Sequence, residues 1–185
     1  MALSSTAYVI LGLLDGTPRT GYEIKQIVDR STRFFWAASY GQIYPELRRL
    51  EAAGLVEGAD RSRGERKRKE YRLTAAGRQE LRAWLRRPPE VLETRDEALL
   101  KLFFAGSLPE TAPRALEHKR RLHAEKLARL HEIAPAVAEH ATPYQYATLR
   151  FGLALSEFCV RWCEEALEEF SGDGETSNRT EGRTA

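Results

Sequence analysis

The sequence predicts a mainly α fold in two parts: three short helices, a two-stranded β-hairpin and a fourth helix, then a second half built of helices alone. Three observations predict it. Apolar residues recur at helical spacing through both halves, and a double proline at 88 and 89 divides them. Two runs of strand type, "LVEG" and "KRKEYRL", stand in the first half around a charged loop at about 59 to 66 that contains glycine.

The first helix covers about 4 to 14 and ends at "DGTPRTG". Thr20-Gly21-Tyr22-Glu23 is a capping box that opens the second, whose buried stripe is Ile24, Ile27 and Val28. The aromatic stretch "STRFFWAASY" leads into the third. There Ile43, Leu47 and Leu50 share one face, while Gln42, Arg48 and Arg49 lie mostly away from it. Proline is tolerated in a first turn because the N–H it lacks has no intrahelical partner there, so Pro45 puts the N-terminus near Tyr40 to Gln42. Gly54 fits the stop. After the hairpin, Thr74 caps a fourth helix with Leu81, Trp84 and Leu85 on one face, ending at Arg86-Arg87-Pro88-Pro89.

In the second half, Thr94-Arg95-Asp96-Glu97 reads as a capping box before Leu99, Leu100, Leu102, Phe103 and Phe104, with Gly106 as the stop. Ser107-Leu108-Pro109-Glu110 is expected to cap a long charged helix that Pro135 kinks or ends. Thr142-Pro143-Tyr144-Gln145 opens the last helix. Its apolar residues repeat every seven: Tyr146, Leu153, Val160 and Leu167 form one seam position, and Leu149, Ser156, Cys163 and Phe170 the other. A further stripe holds Phe151, Leu155, Phe158, Cys159 and Trp162. A helix apolar on two faces needs two partners, here the long helix of its own chain and the same region of a second copy. Tyr146, Leu149, Leu153, Val160, Cys163 and Leu167 are therefore the expected dimer interface; a monomeric bundle burying both faces is the other reading. The expected division is 1–89, 90–170 and a disordered tail at 171–185.

Composition, with 42% hydrophobic and 30% charged residues, is that of an ordinary globular chain. The apolar run "AYVILGLL" is too short for a bilayer and lacks a preceding basic residue, so no membrane association and a cytoplasmic location are expected. Cys159 and Cys163 match neither a disulfide framework nor a C-x-x-C site. No Gly-rich phosphate loop, H-E-x-x-H pair or G-x-S-x-G elbow is present, and His118, His123, His131 and His140 are scattered; neither enzyme, cofactor nor metal is expected. Charge is uneven. Residues 1–90 hold 17 Lys and Arg against 11 Asp and Glu, and residues 91–185 hold 12 against 16, so an anionic partner is expected for the front half only.

Helix, helix, helix, hairpin, helix is the order of a winged helix-turn-helix. Its third helix must pack by one face and leave the other free for a DNA major groove. The candidate contacts with double-stranded DNA are Gln42, Tyr44, Arg48 and Arg49 on that helix, Lys25 on the second, and Arg61, Arg63, Arg66, Lys67 and Arg68 in or beside the hairpin tip. Tyr44 fits packing within the domain equally well, and acids in the same hairpin, Asp60, Glu65 and Glu70, suit a merely solvated loop.

"YVILGLL", "TGYEI", "GQIYPELRRLEAAGLVE" and "KRKEYRLTAAG", in this order and spacing, resemble the PadR family of bacterial transcriptional regulators, specifically its members with a long helical C-terminal dimerisation domain. The resemblance is strong across roughly residues 5 to 85. It implies a ligand- or stress-responsive repressor, a homodimer on a pseudo-palindromic operator. It also implies release by a small aromatic effector, for which Phe34, Trp36 and Trp162 are the candidate pocket. Two other readings stand beside it: a MarR-like regulator, which normally carries a dimerisation helix ahead of the winged domain, and a winged helix used for protein contacts.

Overall fold

The structure is a computed structural model that describes residues 3–32, 35–36, 39–62, 67–89 and 95–176, with side chains for all of these except 61, 62, 67, 68 and 171–176. The chain forms two compact units, Met1–Val91 and Leu92–Ala185.

The first unit contains α1 (Ser5–Leu14), β1 (Arg19–Thr20), α2 (Gly21–Arg30), α3 (Tyr40–Ala52), β2 (Val56–Ser62), β3 (Lys67–Leu73) and α4 (Ala75–Arg86). This is a winged helix with one strand more than expected: β1 pairs antiparallel with β3, giving the order β1-β3-β2. The addition is only two residues long, and nothing in "RT" distinguishes it from a turn. Side chains set the helix starts. The Ser4 hydroxyl accepts from the Ala7 N–H, Thr20 and Glu23 form the expected capping box, and Thr74 accepts from Gly77.

Helix α3 begins at Tyr40, so Pro45 stands in its second turn rather than its first, and the bond to the Gly41 carbonyl is forfeited. Its end is a Schellman motif. Gly54 adopts φ +69°, the Leu55 N–H reaches the Leu50 carbonyl at 2.9 Å and the Gly54 N–H reaches that of Glu51 at 2.9 Å. The core joins Ile10, Leu11 and Leu14 of α1, Ile24 and Val28 of α2, and Ile43, Leu47 and Leu50 of α3, closed by Val56, Tyr71, Leu73 and Leu81. Each such aliphatic side chain contributes about 1.5–3 kcal/mol. All three predicted apolar residues of α3 point inward, which turns Arg48 and Arg49 outward.

The second unit contains α5 (Glu97–Phe103), two single 3-10 turns, α6 (Ala112–His140) and α7 (Pro143–Thr176). Asp96 rather than Thr94 caps α5, accepting from the Leu99 N–H at 3.1 Å; Thr94 lies outside the described residues. Ser107 does not cap the long helix: residues 105–107 and 109–111 wind as 3-10 turns, and α6 starts at Ala112. Nor does Pro135 end α6, which continues to His140. One missing backbone bond is outweighed there by packing along α7. Leu116, Cys163 and Ala166 form the core, with Leu102, Trp162 and Leu167 packed against it.

Candidate nucleic-acid interface

The outer face of α3 holds the candidate reading side chains. Arg48 and Arg49 are both exposed, Arg49 by 77% of its side chain. Arg49 Nη1 stands 3.3 Å from Glu46 Oε2, and Glu46 is 7% exposed, so a carboxylate inside the packing edge steers an outward cation. Tyr44 is 41% exposed and stacks on Tyr40, with ring centroids 6.1 Å apart.

Two predicted contacts are differently engaged. Gln42 Oε1 accepts from the Ser39 N–H at 2.9 Å and from the Ser39 hydroxyl at 3.2 Å. A bidentate adenine contact needs both an acceptor and a donor, so with Oε1 held by Ser39, Gln42 offers only its amide donor, a single hydrogen bond. Lys25 is ion-paired with Asp29 and lies 5.2 Å over the Tyr40 ring, with only 12% of its side chain exposed. It buttresses an aromatic surface instead of reaching outward as a free phosphate contact. Tyr40 is the residue that sequence reasoning missed. Its i, i+4 spacing to Tyr44 was the available signal.

The hairpin β2–β3 carries the wing, in register from Val56 opposite Leu73 to Ser62 opposite Lys67. Arg61 and Arg68 face each other across it, putting two of the predicted cations on adjacent strands near its end. Arg63 and Arg66 lie outside the described residues, as does Phe34 of the expected aromatic pocket. At the root of the hairpin, Lys69 Nζ donates to the Glu51 carboxylate at 2.7 Å, a bond that holds its ammonium above the ordinary lysine value. Burial pushes the nearby Tyr71 phenol up, with Lys69 and Arg48 acting in the opposite sense.

In the second unit the predicted seam turns inward. Leu149 and Cys163 are buried within the chain, as are Ser156, Cys159 and Ala166, while Leu153, Val160 and Leu167 are half-buried and Tyr146 is exposed. Leu149 and Cys163 are thereby taken up by packing inside this chain and do not present a surface to a second copy, while Tyr146, Leu153, Val160 and Leu167 of the same repeat stay partly or fully open. What is left outside is the other stripe: Phe151, Leu155 and Phe158 are exposed at i, i+4 and i+7. Burial also pushes the Cys163 thiol up, away from the reactive thiolate. Trp162 packs against the core of this unit, and Trp36 of the first unit is 39% exposed.

A cleft of about 930 Å³ lies between α5 and α6, walled by Leu100, Phe104 and Leu122 with Arg114, His118 and Lys119 among its polar residues. Lys119 is ion-paired with Asp96. Burial works to raise the Asp96 carboxyl, but hydrogen bonds from Lys119 and the Leu99 N–H together hold it below the ordinary value. Among the described residues no group of His, Cys, Asp and Glu is placed to hold a metal ion, and no helix is long and apolar enough to cross a membrane.

Residues 10–83 match the transcriptional regulator PadR-like family, and residues 94–171 match the virulence activator alpha C-term family. The negative transcriptional regulator PadR of Bacillus subtilis (strain 168) is 32% identical over 177 residues, which cover 90% of this chain and 97% of that one. The crystal structure of Bacillus subtilis PadR in complex with operator DNA is similar at a TM-score of 0.81 and 31% identity, over 90% of this chain and 99% of the other. The same protein in complex with p-coumaric acid is similar at a TM-score of 0.73 and 30% identity, over 92% and 99%.

Proposed function

The chain belongs to the PadR-like family of transcriptional regulators, a family of regulators and not of enzymes, and we propose that it represses transcription by binding an operator as a homodimer. The observation that carries this reading is the arginine-bearing outer face of α3, set beside a hairpin with basic ends. A helix of this size fits a major groove, where Arg pairs with guanine or phosphate; cations on a wing hold backbone phosphates. In this reading residues 1–89 read DNA through Tyr44, Arg48, Arg49, the Gln42 amide and the wing residues Arg61, Arg63, Arg66, Lys67 and Arg68. Residues 90–170 pair two copies through the exposed stripe Phe151, Leu155 and Phe158, in the cytoplasm. Half-sites then lie about one helical turn, or a multiple, apart.

The test is a gel-shift titration with the DNA just upstream of the chain's own coding region, at several salt concentrations and with unrelated competitor. Competitor-resistant binding whose affinity falls steeply with salt is expected. Binding that competitor abolishes at every salt overturns operator recognition.

For release from DNA we propose an aromatic carboxylic acid, supported by the p-coumaric acid complex of the Bacillus subtilis relative. The α5–α6 cleft suits such a ligand, with apolar walls and Arg114 for the carboxylate. An effector acts only by favouring the conformation that does not bind DNA. Operator affinity measured against p-coumaric acid should fall, and Arg114→Ala should blunt that response if the α5–α6 cleft is the site. No response to p-coumaric acid removes this arm of the proposal.

A further inference from the structure

Glu51 closes the last turn of α3 and aims its carboxylate at the wing. One oxygen accepts from the backbone N–H of Gly58 in β2 at 3.2 Å, and the carboxylate also takes Lys69 Nζ from β3 at 2.7 Å. Asp60, not Gly58, lies directly opposite Lys69, so the lysine slants back along the sheet to reach the helix. Glycine makes room for it. A Cβ at Gly58 would run into the Lys69 side chain and lie 2.8 Å from Glu51 Oε1. The Lys69 ammonium stands 5.6 Å over the Tyr71 ring on its way.

As an ion pair this contact adds little stability, because 41% of the Lys69 side chain and 30% of the Glu51 side chain are exposed. Its effect is geometric: one carboxylate ties the end of a helix to both strands of a hairpin. Each strand runs seven residues, roughly 20 Å, so a tilt of about 10° at the root displaces the far end by about 3 Å, enough to break a hydrogen bond.

We propose that Glu51, Gly58 and Lys69 are positioning residues that lock the β2–β3 wing to α3, so that wing and helix meet DNA as one rigid reader. The proposal rests on the DNA-binding reading above. It also makes a prediction opposite in sign to simple electrostatics. Glu51→Gln removes a negative charge from the DNA-facing unit, and charge alone predicts tighter binding. Loss of the lock predicts weaker operator binding, by about tenfold.

The experiment compares wild type, Glu51→Gln and Gly58→Ala in the operator titration, alone and with Lys67→Ala and Arg68→Ala. Gly58→Ala changes no charge and is expected to give the same tenfold loss. In either background the added wing substitutions should cost less than they do in wild type, because the wing no longer reaches its phosphates. Amide hydrogen exchange over 56–62 supplies a readout without DNA, and it should quicken in Glu51→Gln while the global melting temperature holds. Binding equal to or tighter than wild type in Glu51→Gln overturns the lock, as does unchanged exchange over 56–62. A wild type with no operator preference sinks the DNA-binding reading instead, and the exchange result still decides whether the lock exists.

Discussion

The hydroxyl of Ser4 donates to the buried carboxylate of Glu46 at 3.0 Å, joining the N-cap of the first helix to the middle of α3. The same hydroxyl accepts from the Ala7 N–H, so one side chain caps α1 and satisfies an acid that is 7% exposed. Ser4→Ala removes both bonds and should cost about 1–2 kcal/mol in urea unfolding. Ser4→Asp keeps a good cap but sets a second carboxylate against Glu46. It should destabilise at least as much as alanine; a neutral Ser4→Asp would mean that capping alone matters.

Tyr8 and Trp84 stack with centroids 4.6 Å apart and 9° between planes, and the Tyr8 hydroxyl donates to Glu80 at 2.9 Å. Burial first, and Glu80 second, raise the Tyr8 phenol. Trp84→Ala should lower the stability of the first unit by about 1–2 kcal/mol, the scale of an aromatic pair with some lost area, and Trp84→Phe by less. Calorimetry on both variants checks the order.

Acid should weaken the second unit through His123. Burial, followed by Lys119 and Lys126, holds its pKa below the ordinary 6.5, with Asp96 acting in the opposite sense. Its Nδ1 is buried and has no hydrogen-bond partner among the described residues. Above about pH 6.5 the imidazole is neutral folded or unfolded and contributes no pH dependence. As the pH falls through that value the unfolded chain takes up the proton more readily, so stability declines until the pH passes the folded value. Asp96, whose folded pKa is lowered, loses its contribution only in more acidic solution. Melting curves between about pH 7 and 5 should show the decline in wild type and a smaller one in His123→Leu.

Phe158 is 52% exposed, so Phe158→Glu should leave the helices intact by circular dichroism and convert a dimer to a monomer on a sizing column. Cys163 is fully buried, and Cys163→Glu should instead unfold the second unit. Equal loss of the dimer without unfolding in both variants would return the seven-residue seam to the interface.

Much of the first unit was legible because its signals are local. Thr20 with Glu23, Thr74, and the spacing of Ile43, Leu47 and Leu50 each fix an element within one or two turns. The Glu51–Lys69 contact was hidden, because its partners lie 18 residues apart and meet only once the hairpin has formed. The same limit explains α7. Two apolar stripes were readable there, but the choice of the inward one depends on the shape of α6, which periodicity does not encode. Gln42 shows a third limit: its side chain also serves the start of its own helix, a second engagement that spacing alone does not separate from ligand contact.

The inward face of α7 is lined with small side chains, Gly152, Ser156, Cys159, Cys163 and Ala166. Ser156, fully buried, gives its hydroxyl to the Gly152 carbonyl of its own helix at 2.8 Å. Leu130 of α6 comes close above Gly152. At this level alignment along the helix axis is therefore kept by steric fit, a knob over a hollow, with Ser156 contributing no cross-link. One turn before Gly152 the inward residue is the bulky Leu149 and one turn after it is Ser156, so axial sliding of α6 against α7 would carry Leu130 out of its hollow and onto a larger side chain, and close packing resists it.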